Sequence, residues 1–284
     1  MRWSGRRQSS NVEDRRGIGG GTMMAGGGIG TVIVLLAVMF LGGDPGVVLQ
    51  QMNQANVGNG GQAIDVNTPE AQRAKEFVSV VLADTEDVWN DLFAKAGREY
   101  REPTLVLFSG GVESACGYAG TSVGPFYCPA DEKVYIDLAF FDELERRFNA
   151  EGDFAQAYVI AHEIGHHVQK VLGIEERTRA ARSRMSERQA NEMSVRQELQ
   201  GDYFAGVWAH HAQRTKQILE AGDVEEALNA ASAVGDDNIQ KQTQGRITPD
   251  SFTHGTSAQR ASWFRKGLES GDMNGGDTFA AGAL

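Results

Sequence analysis

Along much of the chain the apolar positions recur with a helical period. Phe77, Val80, Val81, Val88, Leu92 and Phe93 fall on one face, behind Thr68-Pro69-Glu70, an N-cap residue followed by proline at the first helical position. This predicts an amphipathic helix ending near Ala96. A second helix is expected to open at Asp153-Phe154-Ala155-Gln156, which has capping-box form. It should run through Val159 and Val168 to about Leu172, ahead of Gly173. Ser186-Glu187-Arg188-Gln189 is another capping box and opens a helix to about Gln213. Shorter helices are expected over Phe140–Phe148, over Val224–Val234, and after the turn Phe252–Arg260, where Trp263 and Phe264 mark an apolar face.

Strand signals are few. Leu105–Phe108 is a short apolar run and Val134–Leu138 alternates, while Gly110–Glu132 between them holds five glycines and reads as a long loop. The polar, basic stretch Ile174–Arg184 and the polar stretch Gly235–Gly245 read as connections. Together these signals predict an α+β fold, mostly α-helical, with a small β-hairpin or sheet. Two strands and a constrained loop just ahead of the 153–172 helix could offer a sheet edge that holds an extended peptide by backbone hydrogen bonds. A plain packing hairpin fits the same pattern.

Composition changes the picture mainly at the N-terminus. Eleven of the 35 glycines lie between Gly17 and Gly46, and no charged residue falls between Arg16 and Asp44. Ile18–Leu41 is 24 residues long, enough to cross a hydrocarbon core of roughly 30 Å. One transmembrane helix is therefore expected over residues 18–43. It should stay uncleaved, because no A-x-A site follows the apolar run; a cleaved signal peptide is the alternative. Five arginines against Glu13 and Asp14 make residues 1–17 a basic tail, expected in the cytoplasm. Residues 44–67, rich in Gln, Asn and Gly, read as a flexible linker, 68–270 as the folded domain and 271–284 as a loose C-terminal tail. The domain would then lie in the periplasm or outside the cell, anchored to the inner membrane by its single N-terminal helix. In that oxidising setting Cys116 and Cys128 are expected to form a disulfide, the alternative being two unrelated buried thiols. Net charge is −11 for the chain and +3 for the basic tail, leaving an acidic body that argues against nucleic acid as a partner.

The candidate chemistry sits on the 153–172 helix. His162 and His166 are four apart, so they lie about 40° from each other on one face, one turn apart. Two imidazoles so placed can share a tetrahedral zinc ion, with Glu163 beside it to polarise a water. His167 points about 100° away from His166 and cannot serve the same ion. On the 186–213 helix, Glu198 and Asp202 share a face with Val195, Ala205 and Ala209. Carboxylates on an apolar stripe are costly unless partnered. Glu198 is therefore expected as the third zinc ligand and Asp202 as acceptor for the free N–H of a ligand histidine, with the swapped roles left open. A metzincin would need Gly at 169 and His at 172, where Gln169 and Leu172 stand. His210 and His211 lie too far along their helix to reach the same ion. His254, in a turn, is either an oxyanion donor or a structural residue; Tyr203 and Tyr135 are further candidate donors.

These residues resemble a known family. The HEIGHH and QELQGD helices, the FTHGTSAQR turn, the GPFYCPAD loop and the Arg/Gly-rich N-terminus together look like the bacterial neutral zinc metallopeptidases. The E-x-x-x-D pattern of the second helix is also similar to that of the thermolysin-like zinc peptidases with a glutamate ligand. The resemblance implies a zincin-like core and a peptide or protein substrate. It also implies His162, His166 and Glu198 as zinc ligands, Glu163 as catalytic base, and Asp202 behind a histidine. Gly201 departs from the alanine common at that position in the family. An alternative from another class is a catalytically inactive, zinc-stabilised envelope interaction protein.

Overall fold

The structure, a computed structural model, describes residues 1–17, 66–120, 123–148 and 150–284. The anchor expected over 18–43 and all but the last two residues of the linker over 44–67 lie outside them. Among the described residues, no helix is long and apolar enough to cross a membrane.

Eight α-helices are present among the described residues: α1 Pro69–Lys95, α2 Ala139–Phe148, α3 Asp153–Val171, α4 Ile174–Arg182, α5 Glu187–Lys216, α6 Asp223–Ala233, α7 Asp236–Gln244 and α8 Ser257–Ser270. Local chemistry sets most of their starts. The Thr68 side chain accepts the Ala71 N–H, with Pro69 at the first position of α1. Capping boxes open both α5 (Ser186 with Gln189) and α8 (Thr256 with Gln259). The expected box at Asp153 does not form. Gly152, at φ 108°, precedes α3 with no side-chain cap; the Asp153 carboxylate is held by the Met1 amino group and the Trp3 indole. Two stretches expected as connections are helical, 174–182 as α4 and 236–244 as α7. Both are short and polar, so they gain order by packing rather than by an apolar period of their own.

The strands are β1 Val12–Asp14, β2 Thr104–Phe108, β3 Gly111–Ser114, β4 Gly117–Gly120, β5 Phe126–Cys128 and β6 Lys133–Asp137. Four form one sheet in the order β1-β2-β6-β5, while β3 and β4 form a separate hairpin. The two strands legible in the sequence, β2 and β6, pair in parallel and are no hairpin; β5 pairs antiparallel to β6. Leu105, Leu107, Val134 and Ile136 face the main core, shared with α1, α3 and α5. Val106, Phe108 and Tyr135 face a smaller cluster under the β3–β4 hairpin. Burial on both faces explains why β2 reads as an unbroken apolar run. Cys116 and Cys128 form a disulfide that ties the hairpin to β5.

Both chain ends differ from expectation. Residues 1–17 do not make a free basic tail set apart from the domain. Met1 and Trp3 are buried, β1 adds to the sheet beside β2, and the arginines are taken up by Asp84, Glu86, Glu13 and Asp14. The C-terminal stretch 271–284 is likewise docked: Thr278 is fully buried, and Arg196 and Gln200 donate to the carbonyls of Thr278 and Gly276.

Candidate metal centre and its cleft

Helices α3 and α5 approach closely at two glycines. A Cβ on Gly165 would lie 2.9 Å from the Gly201 carbonyl oxygen, and one on Gly201 would lie 3.1 Å from Cε1 of His162. The missing side chains let the helix that carries the histidines meet the helix that carries the acids. The smaller residue at 201 also leaves room for the His162 ring.

The crossing brings His162, His166 and Glu198 together, with one potential ligand atom from each all within 4.8 Å of one another. His162 Nε2 is 3.2 Å from Glu198 Oε2 and His166 Nε2 is 3.5 Å from Oε1. The other ring nitrogens are engaged. His162 Nδ1 lies 2.8 Å from Asp202 Oδ1, and His166 Nδ1 lies 2.9 Å from Gln169 Oε1. Both partners are acceptors, so each Nδ1 carries a proton and each Nε2 is left to face the carboxylate. Two Nε2 atoms and a carboxylate, with each Nδ1–H held by an acceptor, fit a zinc ion. Of the two acids, Glu198 faces both Nε2 atoms, whereas Asp202 lies behind His162.

The charges fit a cation as well. Burial alone would lower the His162 pKa, but the charge and hydrogen bond of Asp202 push it up to about 10. Against the same burial, Glu198 raises the pKa of His166. Burial would raise the Glu198 pKa, yet the two imidazoles hold it well below the usual range. The buried acids thus favour positive charge at both rings, and a cation held between the two Nε2 atoms and Glu198 would answer the same charge.

Asp202, fully buried, is held by three partners. Arg260 donates to both of its oxygens at 2.9 Å, and the Tyr158 hydroxyl donates to Oδ1. Opposing burial, Arg260 and His162 keep the carboxyl ionised, with its pKa below the ordinary value. Sequence reasoning missed Arg260, Tyr158 and Gln169 as supports of the centre. Arg260 stands 58 residues from Asp202, and no periodicity links them.

The centre opens into a cleft of about 610 Å³ whose lining includes Glu163, His254 and Tyr127 of β5. His254 is exposed at the rim. Its Nδ1 lies 3.1 Å from Asp236 Oδ1, while Oδ2 of Asp236 accepts the backbone N–H groups of Thr253, His254 and Gly255. The hydrogen bond to Asp236 outweighs desolvation and raises the pKa of His254. His254 does not cap α8, a role taken by Thr256. Tyr203 and Tyr135, considered as oxyanion donors, do not line the cleft. Tyr203 donates to the Asp272 carbonyl, and Tyr135 to Asp131.

His167 lies outside the cluster and connects elements. Its Nε2 bonds the Arg101 carbonyl, and its Nδ1 is 3.0 Å from the Tyr127 hydroxyl, tying α3 to β5. His210 and His211 bond the carbonyls of Leu268 and Gly271 at the end of α8.

The family model described as "Putative neutral zinc metallopeptidase" matches residues 1–279. The uncharacterized protein YpfJ of Escherichia coli strain K12 is 49% identical over 284 residues, covering 98% of this chain and 99% of the relative. The uncharacterized proteins Mb2605 of Mycobacterium bovis and Rv2575 of Mycobacterium tuberculosis strain H37Rv are each 42% identical over 261 residues, covering 87% of this chain and 86% of theirs. No solved structure matches. The chain belongs to the neutral zinc metallopeptidase family.

Proposed function

Taking that membership as premise, we propose that the protein is a zinc-dependent peptidase that hydrolyses peptide bonds, with His162, His166 and Glu198 holding the ion. The supporting observation is the convergence of two Nε2 atoms and one carboxylate at the floor of a cleft. No fourth His, Cys, Asp or Glu joins that group among the described residues. A structural zinc site is closed by a fourth protein ligand, whereas a catalytic one keeps a position open. This favours the enzyme over the inactive, zinc-stabilised interaction protein.

When bound, zinc supplies Lewis acidity that makes water a nucleophile at neutral pH and polarises a carbonyl. Glu163 lines the cleft next to His162, placed to take the proton of the attacking water and deliver it to the leaving amine. His254 is oriented by Asp236 through Nδ1, which leaves Nε2 to donate to the developing oxyanion. Asp202, Arg260 and Gln169 hold the ligand rings in place. The antiparallel edge strand β5 lies along the cleft and can pair with an extended peptide. The Cys116–Cys128 disulfide supports an oxidising compartment for the folded domain.

The deciding experiment compares the wild-type chain with Glu163→Gln for zinc content and cleavage of a mixed peptide set. Glu163→Gln should bind zinc as wild type does and lose about 100-fold or more in turnover, the scale of general-base catalysis. Equal turnover would remove Glu163 from the mechanism. Absence of any cleavage by the zinc-loaded wild type would favour the interaction protein.

A further inference from the structure

The basic stretch that sequence reading left as a connection lies beside the candidate centre. Residues Ile174–Arg184 carry four arginines against two glutamates in a chain of net charge −11. Within α4, Glu175, Arg179 and Arg182 are spaced by four and three residues, so they share one face. That face forms part of the cleft wall. Arg179 reaches Glu175 at 3.3 Å with its side chain 75% exposed. Lys170 is taken up by Glu176 at 2.9 Å and lies 4.0 Å from Glu175. Arg182 has no ion-pair partner among the described residues, and it is exposed. Of the other charged groups in the cleft, Arg260 is committed to Asp202 and Glu198 to the histidines, while Glu163 stands beside the candidate centre.

The cleft also has apolar lining. Phe140, Val159, Val234 and Ile239 line it, and Val159 stands one turn ahead of Glu163 on α3. Along α3 the lining thus passes from Val159, through the candidate centre, to the arginines of α4, the helix that follows its end. A low-dielectric wall beside the unpaired guanidinium of Arg182 and the largely exposed one of Arg179, which keeps donors free beyond its bond to Glu175, favours an anionic group there. Guanidinium is also the side chain best matched to a carboxylate.

We propose that Arg179 and Arg182 form a specificity subsite for an acidic side chain. The preferred substrate is then a peptide with a bulky apolar residue on one side of the scissile bond and Asp or Glu on the other. The inference rests on the peptidase reading and names the substrate class of that same cleft.

Two measurements test it. The first maps cleavage sites of the zinc-loaded, full-length chain on a synthetic peptide library by mass spectrometry. The second measures binding to the zinc-loaded Glu163→Gln chain of two fluorescent peptides that differ only by Asp or Lys at the selected position. Acidic residues should be enriched at one fixed position, and the Asp peptide should bind about tenfold more tightly, a margin that salt reduces. Arg179→Glu/Arg182→Glu should turn the preference toward Lys or Arg at the same position while keeping the wild-type zinc content. Arg182→Ala, a single surface change, should weaken the acidic preference if the double variant folds poorly. Indifference to that charge, or a preference unchanged in the variants, overturns the subsite. Cleavage without acidic preference would sink the subsite and leave the peptidase reading standing. Charge-selective binding without any cleavage would do the reverse, and neither binding nor cleavage would overturn both.

Discussion

At the residue scale, the groups that would meet a metal and the groups that orient them were not equally visible. His162, Glu163 and His166 form a local pattern on one helix, and Glu198 and Asp202 form another. Some supports, Tyr158 and Gln169, stand on the same helix as the histidines, but others come from elsewhere: Arg260 from α8, and Asp236 from the start of α7, behind His254. Asp236 yields a pH prediction. With Nδ1 bonded to Asp236, His254 can donate through Nε2 only as an imidazolium. Its pKa is raised, so that form persists above the ordinary histidine range and is lost as pH rises through the shifted value. Asp236→Asn should therefore move the alkaline limb of the kcat/KM profile to lower pH at unchanged zinc content. A limb that stays in place would show that His254 does not act through this pair.

At the element scale, the crossing of α3 and α5 assembles the candidate centre, and Gly165 permits it. A methyl group there would stand 2.9 Å from a backbone oxygen of the partner helix, which cannot rotate away. Gly165→Ala should cost about 1–3 kcal/mol of stability by overpacking. It should also weaken zinc binding, read by chelator competition, because separating the helices moves Glu198 from the imidazoles. Unchanged zinc affinity would show that the crossing has slack. The sequence placed α3 and α5 well because each has a strong apolar period. It missed α4 and α7, which are short and polar and take their order from neighbours. That miss concealed the cationic wall, since a basic stretch read as a connection has no defined face.

At the scale of the whole molecule, the N-terminal segment completes the sheet, and its charges make its docking depend on pH. The hydrogen bonds from Arg16, stronger than the opposing effect of burial, hold Asp14 at a pKa of about 2. Because the folded value lies below the unfolded one of about 4, this contribution is full above pH 4 and is lost as pH falls toward 2. The stability gap between wild type and Asp14→Asn should narrow on acidification from pH 5 to pH 3 in denaturant titrations. A constant gap would mean that Asp14 is not so held. The sequence by itself determined the main helices, two of the strands though not their parallel pairing, the HEIGHH string, the acid pair Glu198 and Asp202 though not which of them faces both imidazoles, and the cysteine pair. Each of these is written in a local period, a cap or a short spacing. Only the tertiary structure decided that residues 1–17 and 271–284 are docked, that β5 forms the edge along the cleft, and that Arg260 backs Asp202. It alone placed a basic helix in the cleft wall. Such contacts join residues far apart in the chain, and they depend on which surfaces meet, a property that no local pattern of side chains encodes.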